Sequence, residues 1–532
     1  MLQPDMPARL SILLVVLLAS TGCNRGEPSE IPGSTTCTMP TGYEAPELAL
    51  VSIAAEDADA FFADDALPLF DLWLADEDWI QLCQNASDYA DHLWQITEGL
   101  ETEQPHHEYV PAVLHFQGKT YDPVGVRLRG RSTIYSLFYD IDDPYFRGPY
   151  EPRPAAMQRC LDRELLRKPS FKISLDEFGL DTALADQQTL NLVAREGSDA
   201  TYLQEVLAHR MANQFGLVAP RAGHARVCLD GSYEGLFSLV EEADTSRFLR
   251  QRFPGADSGG YWKVETYGHQ TWSPYWDDDG GWTEHYIPKA GTSLEDPGRL
   301  RDLLNAGSLV EEGKDNSVIE DALEDIVDPD QWLREIALDM VIPDYDGMFG
   351  NHKNHLLYDH PERGFVVVPY DKDLAFVDLD EYLGGLCEGG IMGGHPCWSD
   401  VTEGPAVARW LLDTHTDEYL ALVQEFVNEV MVPGEVEDWV LARAETMRPW
   451  IEADRYYRED SPACIDDPDS CAYYTMDAWD WSVNPYLVGE VYDRVDEVQR
   501  QLNGGEVCDE PCGGYKPPRQ PETRRSSSFL SR

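Results

Sequence analysis

The sequence predicts an α+β fold, because strand-like and helix-like patterns follow one another along the chain without an internal repeat. Three observations support this prediction. Alternating runs joined by glycine turns indicate β-hairpins, the segment 198–216 has the periodicity of an amphipathic helix, and residues from about 405 to 450 continue in a helical pattern. At about 100–200 residues per domain, 532 residues allow two to four domains, or one large domain with insertions.

The first predicted elements are two strands around a Gln-Gly turn, in the segment 109–130. In the second strand, Arg127 and Arg129 lie on the face opposite to the apolar residues. The next alternating run, KPSFKISL, places Lys168 and Lys172 on one face. If the two strands are neighbours, these four cations form a stripe that suits a phosphate group. An internal network of salt bridges with nearby carboxylates is the alternative.

A helix and two further hairpins follow in the predicted order. Ser198 or Asp199 can cap the helix, and Gly216 ends it. The apolar stripe of this helix consists of Leu203, Val206, Leu207 and Met211. Asp230-Gly231 is a strong hairpin signal between two strand-like runs, and a second hairpin is predicted around residues 361–364.

The charge balance excludes two classes of partner. The chain has 41 basic and 97 acidic residues, which gives a formal net charge of −56. A nucleic-acid-binding protein needs a basic face to displace counterions, and docking on anionic lipid needs a basic patch, so neither is expected. The hydrophobic fraction of 42% is sufficient for a packed core.

The N-terminus has the pattern of an export signal, in which the apolar run from Leu10 to Leu18 precedes small residues and a cysteine. This pattern predicts a lipoprotein-type signal peptide over residues 1–22 and lipidation at Cys23, although Ser20 stands where such sites usually have Leu. The predicted location is the cell envelope, with the lipid as the membrane attachment. An ordinary signal peptide and secretion are the alternative. Residues 23–45 have the composition of a flexible tether.

Ten cysteines remain after Cys23, and this even number in an exported chain allows up to five disulfides. The sequence leaves their connectivity open. The pairs that are close in sequence are Cys387/Cys397, Cys464/Cys471 and Cys508/Cys512. None of the ten cysteines has the paired spacing of a zinc site.

Carboxylate and amide side chains recur in IPDYDGMFGNHKNHLLYD and in FVVVPYDKD. Asp346 and Asn351 are five residues apart, and Asp371 and Asp373 follow a strongly apolar strand. Carboxylate and amide oxygens are hard ligands suited to Mg²⁺ or Mn²⁺. Protein kinases combine an Asp with an Asn five residues later, and a metal-binding Asp follows a short hairpin. In a chain with 97 acidic residues, a solvated acidic loop is the alternative.

Several motifs resemble those of the CotH (spore-coat protein H) family of atypical kinases, in the family order. They are VGVRLRGRST, RKPSFKISLDEF, the segment from LNLVAREGSD to SLVEEAD, YWKVE, DYDGMFGNHKNHLLYD and GFVVVPYDKDLAF, within about residues 110–380. The resemblance implies a divergent protein-kinase-like two-lobe fold with an additional helical C-terminal part. It also implies transfer of phosphate from ATP, with Mg²⁺ or Mn²⁺, to Ser or Thr hydroxyls of surface or secreted proteins. The corresponding domains are a kinase-like domain at 46–400, a helical region at 401–505 and a disordered tail at 506–532.

The resemblance implies a set of nucleotide-binding residues. Arg127 and Arg129 match the strand and turn on the nucleotide side of the family fold. Lys168 and Lys172 both match the phosphate-binding lysine, and their shared strand face leaves the choice open. Glu205, in the predicted helix, matches a glutamate that orients this lysine, and a solvent-facing glutamate is the alternative.

The resemblance also places the edge of the adenine pocket and the catalytic carboxylate. Glu241 or Glu242 corresponds to the edge of the adenine pocket. Asp346 matches the catalytic-loop aspartate, with Asp344 as its rival, and would orient the acceptor hydroxyl in line with the γ-phosphate.

The metal ligands implied by the resemblance lie in the same two motifs. Asn351 or Asn354 would supply the amide ligand, and Asp371 matches the metal-binding aspartate. Asp373 completes a D-x-D pattern, and Tyr370 stands where the family often has Trp.

Two other functions remain open at this point. One is a kinase-like surface lipoprotein that has lost turnover and acts as a structural or binding scaffold. The other is a calcium-stabilised surface protein, because the loops at 276–281 and 464–471 are dense in carboxylates. Neither loop matches an EF-hand, which favours solvated acidic loops.

Overall fold

A computed structural model of the chain describes residues 37–40, 58–97, 107–138, 153–180, 182–194, 201–265, 285–344, 346–348, 353–376, 405–457 and 475–504. These residues form a mixture of helices and β-sheets, which confirms the α+β class predicted from the sequence. The predicted signal peptide, the lipidation residue Cys23 and the predicted C-terminal tail lie outside the described residues.

The N-terminal part of the described chain is a closed barrel of seven strands. The strands are β1 Leu69–Trp73, β2 Val110–Phe116, β3 Lys119–Arg129, β4 Ser170–Ser174, β5 Thr189–Val193, β6 Ala222–Leu229 and β7 Ser232–Glu241. Their order around the barrel is β1-β2-β3-β4-β5-β7-β6. Strands β1 and β6 close the barrel in parallel, while every other neighbouring pair is antiparallel.

The glycine turns have the backbone that the sequence predicts. Gln117 and Gly118 join β2 to β3 with φ of 47° and 75°, and Asp230 and Gly231 join β6 to β7 with φ of 51° and 75°. Positive φ at both central residues is what a two-residue hairpin needs to match the strand twist. The two predicted hairpins are therefore confirmed.

A second, antiparallel sheet has the order β11-β10-β8-β9. Its strands are β8 Tyr261–Val264, β9 Tyr286–Lys289, β10 His355–His360 and β11 Gly364–Pro369. The hairpin predicted around residues 361–364 joins β10 to β11 and is confirmed. Gly364 has φ of +80°, and a Cβ there would lie 2.6 Å from the carbonyl carbon of Ile326, so the turn requires glycine.

Helices surround the two sheets and fill the C-terminal part. They are α1 Ala58–Phe61, α2 Asp76–Thr97, α3 Ser132–Phe138, α4 Arg153–Leu161, α5 Gln204–Gln214, α6 Ser246–Arg252, α7 Leu300–Glu311, α8 Asn316–Leu323 and α9 Pro329–Val341, then Ala406–Thr414, Thr416–Glu425, Pro433–Glu452, Met476–Trp481 and Val488–Leu502. The helical pattern predicted from about residue 405 to 450 is thereby confirmed. Short π-helical segments at Phe426–Val430 and Ser482–Leu487 join the neighbouring helices.

Helix α5 begins later than the sequence predicts. It starts at Gln204 after the N-cap residue Leu203, which has no side-chain cap, and the predicted caps Ser198 and Asp199 lie outside the described residues. The predicted apolar stripe is confirmed, because all four of its residues are buried, and Leu203, Leu207 and Met211 belong to the largest core cluster. Gly216 follows the helix with φ of +85°, as expected for a glycine at the end of a helix.

The largest hydrophobic core joins α5, the second sheet, α9 and the C-terminal helices. Trp262 of β8, Trp332 of α9, Leu411 and Val491 all belong to this one cluster. Residues on both sides of the boundary predicted at residue 400 therefore pack into a common core. A separate cluster fills the barrel and includes Val126 and Phe171.

Two disulfides link described residues. Cys83 joins α2 to Cys160 of α4, and Cys37 joins the N-terminal segment to Cys228 of β6. Next to the second disulfide, the Thr38 N–H donates to the Gly231 carbonyl over 2.8 Å. Disulfides were expected from the cysteine count, while the three predicted close pairs lie outside the described residues.

None of the described helices combines the length and the apolar character needed to cross a bilayer.

Candidate functional site

The central contact of the candidate site joins two segments that are far apart in sequence. At the end of β3, the Arg129 guanidinium donates to Oδ1 of Asp371 over 3.0 Å. Asp371 follows β11 and has φ of 53°, in the left-handed region. The Asn354 side chain donates to the Asp371 carbonyl over 2.8 Å, because the start of β10 lies beside the end of β11. The structure thus places Arg129, a predicted nucleotide-binding residue, in contact with Asp371, a predicted metal ligand.

Asp371 is held in its ionised form. Burial alone would raise its pKa, but the positive charges of Arg129 and Lys263 hold the pKa below its ordinary value. Lys263 lies in β8 with its ammonium 4.6 Å from the centre of the Tyr370 ring, and it pairs with Glu265. An ionised hard-oxygen ligand is what a divalent cation requires.

The two candidate lysines occupy different environments. Strand β4 begins at Ser170, so the prediction that Lys168 and Lys172 share a strand face is wrong. Lys172 lies directly opposite Arg127 in the register of β3 and β4, and its ammonium pairs with Glu242. The two strands are thus neighbours, and Lys172, with its partner Glu242, lies beside Arg127 at the candidate site.

Lys168 is fully buried in a contact between the barrel and the C-terminal helices. Its ammonium pairs with the Asp454 carboxylate, donates to the Leu236 carbonyl, and lies 4.0 Å from the centre of the Phe237 ring. A Cβ at Gly235 would overlap both charged groups, so glycine is required beside this pair. The contact explains the burial of Lys168 without a ligand.

The three predicted glutamates, Glu205, Glu241 and Glu242, have different partners. Glu241 pairs with Arg221 over 2.5 Å and with Arg252 over 3.2 Å, whereas its neighbour Glu242 pairs with Lys172. Of the two residues considered for the adenine edge, Glu242 is therefore the one joined to a site lysine. The buried carboxylate of Glu205 lies 3.8 Å from His209. Both candidate lysines pair with other carboxylates, which are Asp454 and Glu242. The expected pairing of Glu205 with a lysine is therefore not present.

Asp346 and its rival Asp344 differ in exposure and partners. Asp346 pairs with Lys353 over 2.8 Å and its side chain is 14% exposed. The Asp344 side chain is 1% exposed and pairs with Lys372 over 3.0 Å. A carboxylate that receives a proton from an acceptor hydroxyl must be reachable, so this geometry favours Asp346 over Asp344.

The remaining predicted metal ligands are only partly described. Asn351 lies outside the described residues, while Asn354 and Asp373 lie inside them. In the part of the chain that the structure describes, no group of three or more His, Cys, Asp or Glu side chains is placed to hold a metal. The residues present nevertheless fit Mg²⁺ or Mn²⁺, since such ions are commonly held by one or two carboxylates together with substrate phosphates.

Lys263 and Glu265 belong to the YWKVE motif, for which the sequence predicts no role, yet both reach the site. Burial would raise the pKa of Glu265, but Lys263, Lys353 and Arg131 hold it below its ordinary value. Glu265 directly follows β8, and its N–H continues the pairing by donating to the His285 carbonyl, so Lys263 and Glu265, at positions i and i+2, lie on one face. That spacing is the sequence signal that could have identified the pair.

A second acidic cluster surrounds the buried Lys372. Its ammonium contacts Asp339 over 2.6 Å and Glu335 over 3.2 Å, in addition to Asp344. Burial raises the pKa of Glu335 to about 8 and that of Asp344 to about 7, although Lys372 opposes both shifts. One ammonium therefore does not keep all three carboxylates ionised at neutral pH.

We expect the free energy of unfolding to fall less steeply with rising pH in Glu335→Gln than in wild type. Because the folded pKa of Glu335 is above its ordinary value of 4.5, the folded protein binds more protons than the unfolded chain between about pH 4.5 and pH 8. Stability therefore falls as pH rises through this window, by up to about 1.4 kcal/mol per pH unit for one proton. Thermal unfolding at pH 5, 7 and 8.5 measures the difference between variant and wild type. The exposed Glu320→Gln serves as the control, and an identical pH profile for all three proteins would contradict the prediction.

The chain matches a known protein family. The profile of the family described as CotH kinase protein matches residues 127–487, about two thirds of the chain. The match begins at Arg127 of β3, contains every site residue described above and continues into the C-terminal helices. It thus extends beyond the motifs found within about residues 110–380. No match was found among curated protein sequences.

Proposed function

The chain belongs to the CotH kinase family, and from that premise we propose that it is an exported atypical protein kinase. The proposed reaction transfers the γ-phosphate of ATP to Ser or Thr hydroxyls of surface or secreted proteins, with Mg²⁺ or Mn²⁺. The observation that carries the proposal is the contact between Arg129 and Asp371, which unites a phosphate-binding candidate with a metal-binding candidate. A divergent kinase-like two-lobe arrangement of the barrel and the second sheet belongs to the same proposal.

Phosphate binding is assigned to cations of the barrel. Arg127 and Lys172 lie opposite each other on β3 and β4, and Arg129 ends β3. These side chains would bind the phosphate oxygens and neutralise the charge that spreads over them in the transition state. Lys168 has no part in this step, because its charge is satisfied by Asp454.

Metal binding is assigned to Asp371 and Asp373, with an amide oxygen from Asn351 or Asn354. These residues would hold a divalent ion, which would supply positive charge to the transferring phosphate group. The ionised state of Asp371 supports the assignment, since a protonated carboxyl group is a poor ligand.

Asp346 is assigned to the acceptor. Its carboxylate would accept the hydrogen bond of the Ser or Thr hydroxyl and take its proton as the new oxygen–phosphorus bond forms. The bond between the γ-phosphorus and the bridging oxygen breaks, and ADP leaves. Lys353, 2.8 Å from Asp346, fixes the direction of this carboxylate in the free protein.

The ion pairs of the free protein suggest how the ligands enter. Arg129 and Lys353 each pair with a carboxylate that we assign to the metal or the acceptor, and Lys172 pairs with Glu242. In the pair of Arg129 with Asp371, a metal nucleotide would place phosphate on the cation and metal on the carboxylate. That exchange leaves neither charge of the pair uncompensated, which an isolated phosphate or an isolated metal would not achieve.

The same internal pairing favours one alternative, a kinase-like scaffold without turnover. In such a protein the salt bridges of Arg129, Lys172 and Lys353 would be permanent. The two functions differ in whether a metal nucleotide can displace these contacts. The calcium-stabilised alternative rests on loops at 276–281 and 464–471, which lie outside the described residues.

Export is supported by the disulfides Cys37–Cys228 and Cys83–Cys160. Such bonds persist in oxidising compartments and are rare in the cytosol. Lipidation at Cys23 remains a prediction of the sequence pattern, and mass spectrometry of the membrane fraction tests it.

Incubation of the oxidised chain, without residues 1–22, with γ-labelled ATP tests the proposed reaction. We expect label that is stable to acid, as phosphoserine and phosphothreonine are, in the presence of Mg²⁺ or Mn²⁺ and none with EDTA. A pool of Ser- and Thr-containing peptides provides acceptors besides the chain itself. Absence of label together with absence of metal-dependent ATP binding would favour the scaffold.

A further inference from the structure

Lys372 lies between the two proposed metal ligands Asp371 and Asp373, yet it is turned away from the nucleotide cations. The side chain is 2% exposed and its charge is used inside the protein. The ammonium contacts three carboxylates, which are Asp339 Oδ1 at 2.6 Å, Asp344 Oδ2 at 3.0 Å and Glu335 Oε1 at 3.2 Å. Glu335 and Asp339 belong to α9, so the segment after β11 is fastened to that helix.

The second oxygens of two of these carboxylates bind the turn that carries Asp346. Oδ2 of Asp339 accepts the backbone N–H of Met348 over 2.7 Å. Oδ1 of Asp344 accepts the backbone N–H of Asp346 over 3.1 Å. Each carboxylate therefore binds the Lys372 ammonium with one oxygen and the turn with the other. Two parallel bridges join the segment of Asp371 to the turn of Asp346.

Gly347 allows this turn to approach the carboxylates closely. A Cβ at this position would lie 2.7 Å from Oδ2 of Asp339 and 3.1 Å from Oδ2 of Asp344. The backbone N–H of Gly347 also donates to the Asp344 carbonyl over 3.1 Å. The turn is thus packed directly on the two bridging side chains.

We propose that Lys372 is a positioning residue, which holds the proposed metal-binding segment and the turn of Asp346 in one fixed arrangement through Asp339 and Asp344. This inference rests on the proposed function. Charge neutralisation alone does not explain the geometry, because it does not require each carboxylate to divide its two oxygens between Lys372 and the turn. Phosphoryl transfer depends on alignment of metal, phosphate and acceptor, and small displacements of such groups lower turnover strongly.

Two variants separate positioning from charge balance. Lys372→Met removes the bridge and leaves buried carboxylates without a cation. The triple variant Lys372→Met, Asp339→Asn and Asp344→Asn removes the ammonium together with the two bridging carboxylates, and amide oxygens can still accept the backbone N–H groups. We expect the triple variant to regain much of the thermal stability that Lys372→Met loses. We also expect its kcat to remain about 100-fold below wild type, with KM for ATP within about twofold.

Hydrogen–deuterium exchange of the full chain gives a readout that needs no turnover. We expect peptides covering residues 344–348 and 370–376 to exchange faster together in both variants, while peptides from β6 and β7 are unchanged in the triple variant. Gly347→Ala displaces the bridging carboxylates without altering any charge, and we expect it to lower kcat in the same way.

Two results would overturn the positioning role. One is wild-type exchange of both segments in Lys372→Met. The other is a triple variant with wild-type stability, kcat and exchange, since Lys372 would then only balance charge. If the wild-type chain transfers no phosphate but the two segments still lose protection together, the coupling stands and the proposed kinase function fails.

Discussion

Asp371→Asn is expected to reduce metal-dependent phosphoryl transfer to below about 1% of wild type while the protein remains folded. Asparagine tolerates the left-handed backbone of this position, where φ is 53°, so the change removes the charge and spares the turn. Loss of the charge leaves the metal without its strongest proposed ligand. In this variant Arg129 loses its 3.0 Å contact with the Asp371 carboxylate. We expect only a limited loss of nucleotide affinity, because the guanidinium can still bind phosphate.

Three measurements accompany this variant. Transfer from labelled ATP gives turnover, calorimetric titration gives ATP affinity with and without Mg²⁺, and thermal unfolding reports stability. Asp321→Asn, an exposed position on α8, makes the same chemical change away from the site and should behave as wild type. Wild-type turnover in Asp371→Asn would show that the metal is held elsewhere.

The second large effect is expected from Lys168, and it concerns stability. Lys168→Met leaves the Asp454 carboxylate buried without its cation, and breaking such a pair costs about 3–5 kcal/mol. Lys172→Met, four residues along the chain, removes a cation from the contact with Glu242, in which the lysine side chain is 16% exposed. Because this lysine reaches solvent and Lys168 does not, we expect the second variant to lose less stability than Lys168→Met but to bind ATP roughly 10- to 100-fold more weakly.

Chemical denaturation of both variants, with ATP titration, distinguishes the two lysines. The double variant Lys168→Met and Asp454→Asn removes both buried charges and should recover a large part of the lost stability. A destabilisation by Lys172→Met that equals that of Lys168→Met would show that both lysines serve the fold. Loss of ATP affinity only in a folded Lys168→Met protein would reverse the assignment.

Local chemistry explains which elements the sequence predicts well. The turns at Gln117-Gly118 and Asp230-Gly231 form because those residues accept positive φ, and neighbours along the chain suffice to specify them. The apolar stripe of α5 is likewise a local periodic pattern. Strand β4 begins at Ser170, later than the alternating run predicts. A local signal for this start exists, because Pro169 has no N–H to donate to a neighbouring strand.

The site itself depends on contacts that no local pattern contains. Arg129 and Asp371 are 242 residues apart, and Lys168 and Asp454 are 286 residues apart. Alternation along a strand tells which residues share a face, but it does not identify the partner that lies opposite. The motifs therefore supply candidate site residues, while the distinction between Lys168 and Lys172 required the folded chain.

The disulfide between Cys37 and Cys228 changes how force and cleavage act on the chain. A pull on the N-terminal side of residue 37 passes through the sulfur atoms straight into β6, without first passing through α1 or β1. The load then spreads over the barrel as shear between β6 and its neighbours β1 and β7. A single proteolytic cut between Pro40 and Ala58 would consequently leave the N-terminal segment attached until a reductant opened the disulfide.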